Sequence, residues 1–296
     1  MKITRISANL LLMIITVFWG LGFVLSRMAL DNGMTASLIN FLRGLLFLVM
    51  TLAFFHKKIF NMTAYDFKVG LLVGIFNFLG FITQTIGAKF TTPSNNAFLT
   101  VTNVLMVPFI VWAVYKKRPK IRIFVSVIIC LYGMAILTGF IRESYSVNIG
   151  DLYTIVCAFF FALSIAVIGN SALKSEFSVI AFMMAAVQMA GSLVLFIFQD
   201  IKTLSTVNWA SSVIQVIILG VVCSFFAQTV QVIAQKHTSA SAAALIMTLE
   251  GVFGAVFSIL FKYEVLSYSL IIGGLLIMLS LFISEYDFNS LKKPKD

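Results

Sequence analysis

The stretch ASAAALIMTLEGVFGAVFSIL, Ala240 to Leu260, decides the fold class. It is apolar over the roughly 20 residues a helix needs to cross a hydrocarbon core about 30 Å thick, apart from one carboxylate, Glu250, close to its middle. An ionised glutamate at that depth costs several kcal/mol, so the segment reads as membrane-spanning and Glu250 as a functional candidate.

The rest of the chain has the same character. Of its 296 residues 60% are hydrophobic and only 11% charged, and the mean hydropathy is +1.04. Soluble domains carry about 25% charged residues. Ten apolar runs can be drawn: Ala8 to Arg27, Thr35 to Phe55, Phe67 to Gly87, Ser94 to Tyr115, Ile121 to Phe140, Leu152 to Asn170, Val179 to Phe198, Ser211 to Ala234, Ala240 to Phe261 and Tyr268 to Ser284. The runs are continuously apolar rather than alternating, which selects helices over a barrel. The expectation is an all-α polytopic membrane protein of ten transmembrane helices, with no linker long enough for a folded extramembrane domain. The first run follows Lys2 and Arg5 but exceeds a signal-peptide core and lacks a small-x-small cleavage site, so it reads as an uncleaved helix.

A net charge of +10 suggests nucleic acid until the basic residues are placed. One side of the membrane collects Lys2, Arg5, Lys57, Lys58, Lys68 and the cluster from Lys116 to Arg122, with Lys174, Lys236 and the terminal lysines. The other keeps Arg27, Lys89, Arg142, Lys202 and Lys262. This bias marks topology, predicting a cell-membrane protein with both termini cytoplasmic and an even number of spans. Cys130, Cys157 and Cys223 all fall inside spans and read as small apolar residues, without disulfide or metal spacing.

The two halves echo each other. Ala88 to Ala97 can be laid on Ala234 to Ala243 without gaps, and the same register pairs Thr92 with Thr238, Leu99 with Leu245, Thr102 with Thr248 and Lys116 with Lys262. Five helices per half would place the second copy upside down relative to the first, with a binding site near the midplane.

These residues resemble the EamA-type transporters of the drug/metabolite transporter superfamily. The resemblance rests on Phe18-Trp19-Gly20 with Phe23 and Arg27, on Phe41-Leu42-Arg43, on the small-residue run Thr238 to Ala243, on Leu249-Glu250, and on Tyr263 to Ser267 before Gly273-Gly274. It implies two inverted five-helix repeats, here residues 5–141 and 149–286 with a cytoplasmic tail 287–296, and transport of small metabolites, often amino acids outward. The chain departs from the family pattern at Gly251-Val252, where many relatives have proline after the glutamate, and at Arg118, where the first half often repeats Glu264.

Helical spacing groups the intramembrane polar residues into stripes. Asn77 and Gln84 share one, Asn96, Thr100 and Asn103 another, Ser224, Gln228, Gln231 and Gln235 a third, and Gln188 and Ser192 a fourth. Such stripes either line a solute pathway or join packed helices. Glu250, a carboxyl removed from water, is the candidate for coupling proton movement to transport; the competing reading is a permanently protonated structural group. Arg43 cannot shed its charge and needs water, a helix end, the membrane interface or a carboxylate, either that of Glu250 or one on a solute. Trp19 and Phe23, one turn apart, offer an apolar wall for a solute or ordinary packing. Gly70 and Gly74 read as a helix contact.

No nucleotide-binding loop, His/Cys/Asp cluster or intramembrane protease motif is present in the sequence, so no cofactor, metal or enzymatic role is expected. The reading is a secondary transporter exporting small organic metabolites such as amino acids by alternating access. Its partners would be the lipid bilayer, a small-molecule substrate and protons. An organic-cation or drug exporter, and a non-transporting membrane protein, are the alternatives.

Overall fold

The computed structural model describes residues 4–116, 118, 121–137, 148–171, 174–238, 243 and 246–285. The end of the fifth expected span at Phe140, the start of the ninth at Ala240, the run 239–242, Leu245, Lys117, Lys120, Arg142 and the tail 287–296 lie outside the described residues. The helices, in chain order, are α1 (Arg5–Asp31), α2 (Ala36–Ile59), α3 (Ala64–Phe90), α4 (Pro93–Thr100), α5 (Asn103–Tyr115), α6 (Ile121–Leu137), α7 (Ile149–Ser171), α8 (Phe177–Leu195), α9 (Trp209–Ile217), α10 (Ala227–Gln235), α11 (Leu249–Leu260) and α12 (Tyr268–Glu285). A π-helical segment, Ile218–Phe226, joins α9 to α10. Among the described residues, seven segments are long and apolar enough to cross a membrane, and three apolar helices, Ile121–Leu137, Leu249–Leu260 and Tyr268–Ser280, are shorter.

Local sequence sets where these helices start. Thr4, Thr35, Thr63 and Thr92 each accept a hydrogen bond from a first-turn amide, and at Thr63 the Asp66 carboxylate returns the bond to complete a capping box. The fourth span departs from the single helix expected. It breaks at Val101–Thr102, where Thr102 N–H turns back to Leu99 C=O (3.3 Å) and Leu105 N–H to Thr102 C=O (3.0 Å). Threonine at this point satisfies the tightened turn with its own hydroxyl, which donates to Leu99 C=O at 2.6 Å. The helix of the second half is interrupted at Thr248, the residue aligned with Thr102. Lys116 and Lys262, another aligned pair, close α5 and α11 at φ 60° and 61°, and among the described residues they are the only non-glycines with positive φ.

Packing is reciprocal. α2 lies on α8, α6 on α12 and α4 on α11, while the α3–α7 contact is answered by α1 against the run from α9 to α10. In lipid no hydrophobic force draws helices together, so small residues let backbones approach. Gly133 and Gly273 each face the other's carbonyl oxygen, and Gly70 and Gly74 receive Met183, as the helix-contact reading expects. A Cβ on Gly20 would stand 2.4 Å from Phe253 Cβ, and one on Gly254 2.4 Å from Ala97 Cβ, so α1, α11 and α4 meet nearly backbone to backbone.

The two ends of the bundle are tied by polar contacts. At one, Lys58 pairs with Glu176 (3.1 Å), Lys236 donates to Ser175 C=O (2.8 Å) and Asp66 accepts from Glu176 N–H (2.9 Å). At the other, Arg27 donates to the carbonyls of Ala88 and Thr91, Glu264 accepts from Ser94 N–H at the start of α4 (3.1 Å), and Tyr263 donates to Asp31 (3.0 Å). Burial, then the bond to Asp31, raises the Tyr263 hydroxyl to about 12, so this donor keeps its proton at physiological pH.

Gly254→Val is expected to lower stability by about 1–3 kcal/mol through overpacking against Ala97. Gly22→Ala, whose new Cβ would find its nearest neighbour at 3.5 Å, should be tolerated. Thermal unfolding of the purified variants in detergent compares the two.

Candidate functional site

Halfway along α1 and α3 the helices part around a cavity of about 750 Å³ of empty space, counting its open mouth. α1 contributes Trp19 and Phe23, α2 contributes Arg43, and α3 contributes Asn77 and Gln84. Asn103 enters from the start of α5, Gln228 and Gln231 from α10, and Glu250 from the first turn of α11. Both helix breaks open onto this space, since Val101 and Thr248 also line it.

The charged groups lie on different walls. Arg43 is only 3% exposed, its Nε–H donates to Ser224 Oγ at 3.0 Å, and its guanidinium lies 4.2 Å from the centre of the Phe81 ring. Neither Nη is hydrogen-bonded to a described residue, and no described carboxylate lies within ion-pair distance of it. The expected option of an Arg43–Glu250 pair is therefore not taken. Glu250 is 8% exposed and accepts no hydrogen bond from a described residue. A cation and a carboxyl thus face one cavity, each without a described counter-charge.

The polar stripes divide by function of place. Asn77 Nδ2–H donates to Gln228 Oε1 at 3.1 Å, leaving Asn77 Oδ1 and Gln228 Nε2 buried and unpartnered at the cavity wall. Gln231 donates to Met247 Sδ at 3.5 Å. Asn96 and Thr100 stand outside the cavity: Asn96 donates to Gln84 C=O and Thr154 Oγ1, and Thr100 accepts from Gln84 Nε2 at 3.3 Å while touching Cys157 Sγ. A continuous helix would have kept Asn96, Thr100 and Asn103 on one face; the break at Val101–Thr102 turns the first two toward α7 and Asn103 toward the cavity. Gln188 is also remote, donating to Asn40 Oδ1 at 3.2 Å between α8 and α2.

Other lining residues escaped the sequence reading. Phe81 lies one turn beyond Asn77 on the same stripe, a signal that was present. Ser26, Ser164 and Cys223 carried none: each is a small residue outside the polar stripes, and only the packing turns it inward. Trp19 is fixed as well as exposed to the cavity, its indole N–H donating to Cys223 C=O at 3.0 Å.

Replacing Asn40 by leucine tests the division between packing and cavity amides. Asn40 is fully buried and joins Thr85 (2.9 Å) and Gln188, so Asn40→Leu should cost about 1–3 kcal/mol by stranding the Gln188 amide. Solute binding by the variant, measured below its lowered melting point, should match the parent.

The model of the EamA-like transporter family matches this chain twice, over residues 6–139 and 148–286. An uncharacterized transporter of Archaeoglobus fulgidus is 31% identical over 281 residues, 95% of this chain and 86% of that protein. A protein of known crystal structure, 16% identical, superposes over 98% of this chain and 100% of its own with a TM-score of 0.71, a likeness of fold.

Proposed function

Because the chain belongs to the EamA-like transporter family, we propose that it is a secondary transporter exporting small organic metabolites, amino acids foremost, across the cell membrane by alternating access. The observation that carries this reading is the mid-bundle cavity, which residues of both family-matched segments line and toward which both interrupted helices open. Ten crossings as two inverted five-helix repeats, 5–141 and 149–286, fit the reciprocal packing, the paired breaks at Thr102 and Thr248, and the paired Lys116 and Lys262. Alternate loosening of the Lys58–Glu176 end and the Arg27–Asp31–Tyr263 end would open the cavity to one side at a time, both termini lying in the cytoplasm.

Within this scheme Glu250 couples the cycle to protons. A carboxyl on the cavity wall, with no described partner, is free to take a proton on one side and release it on the other. This cavity-lining carboxyl is also the one observation favouring an organic-cation substrate. In proteoliposomes holding only this protein, solute efflux is expected to respond to an imposed pH gradient. Glu250→Gln should abolish that response while leaving solute-for-solute exchange in place; loss of neither would remove Glu250 from the coupling role.

A further inference from the structure

We propose that Arg43 and the Asn77–Gln228 amide pair form an oxyanion subsite that takes the carboxylate of the transported solute. This deepens the transport reading and rests on it.

The argument begins with what holds Arg43 in place. Ser224 holds its Nε, and the Phe81 ring lies against its guanidinium, 4.2 Å from Cζ to the ring centre. The two Nη groups, which form the fork that matches a carboxylate, are the part left unbonded by described residues. A guanidinium stays charged, and one this deeply buried is stable only with an anion or water at the fork.

The amide pair is built on the same two helical runs. Gln228 lies one turn from Ser224 and Asn77 one turn from Phe81, so the pair sits one turn from the guanidinium along the cavity wall. Asn77 and Gln228 are 5% and 1% exposed, and a single bond joins them where two amides have the means for more. In either orientation that keeps this bond, a whole NH2 group of one amide and the C=O of the other stay without a partner. The free N–H adds a third donor beside the arginine fork. The free C=O suits an N–H or O–H next to the carboxylate.

Among the described residues the cavity lining carries no second cation. One guanidinium and one amide N–H match a monoanionic, planar carboxylate better than a phosphate dianion, which would bring a charge nothing described here offsets. The same wall opposes a solute whose only charge is positive, since the approach of a cation to the Arg43 fork is repulsive.

The test uses the full-length protein in detergent and in vesicles, with the free acid and the methyl ester of leucine, serine, glutamine and phenylalanine as matched probes. At least one acid is expected to bind about tenfold or more tightly than its ester, as judged by thermal stabilisation, and to be transported in preference to it. Arg43→Gln should erase the acid-over-ester ratio while ester binding persists. Should that variant not fold, Gln228→Leu carries the test and should reduce the ratio. Esters binding as well as acids, a ratio unchanged in folded Arg43→Gln, or stabilisation by inorganic phosphate in place of the carboxylates would each overturn the subsite. Transport of organic cations or sugars with all four acids inert would overturn it and leave the transporter reading standing. No solute of any class crossing would remove both.

Discussion

A peptide N–H or C=O left without a partner in hydrocarbon costs several kcal/mol, and this chain is organised around that constraint. Its apolar runs meet it in the only economical way, by forming helices whose backbone bonds are internal. The exceptions then carry information. Backbone departs from regular helix at Val101–Thr102 and at Thr248, and both places border the cavity. Irregular backbone at this depth is tolerated where it is enclosed by protein or lines a polar space, and here it supplies the wall of one.

A second sorting acts on the side chains. Some asparagines, glutamines and hydroxyls within the spans bind one another across helix contacts, others turn bonding capacity toward the cavity, and a few, Asn96 and Gln235 among them, keep buried unbonded atoms away from it. Asn40, Thr85 and Gln188 belong to the first kind, Asn77 and Gln228 to the second. Arg43 belongs to both. One nitrogen bonds Ser224 and the ring of Phe81 lies against the guanidinium, two contacts that restrain its free end before any solute arrives. Holding a recognition group rigid in advance reduces the ordering cost of binding.

Much of this was legible in the sequence, and the part that was not has a common cause. Hydropathy located the helices because twenty apolar residues have few other fates, and the charge bias grouped the loops into the same two ends that Lys58–Glu176 and Arg27–Asp31 occupy. Arg43, Asn77, Gln228 and Glu250 stood out because polar groups in an apolar run are expensive, and all four line the cavity. Helical spacing puts Asn96 and Thr100 on the same face as Asn103 only where the helix is unbroken. The break depends on how Thr102 bonds its own turn, which residue spacing does not encode. Ser164 and Cys223 were invisible for the complementary reason: their place in the wall is set by which neighbour each helix packs against.

The close approach of α1, α11 and α4 has a mechanical side. Between most helices a layer of side chains separates the backbones, and rotamer changes in that layer let one helix shift while the other stays. Where Gly20 meets Phe253 and Gly254 meets Ala97 that layer is almost absent. With nothing compressible between them, the three helices are geared together, and a displacement of one is passed to the others nearly undiminished. Trp19 and Phe23 ride on the first, Glu250 on the second and Val101 on the end of the third, so this part of the cavity wall moves as one rigid face.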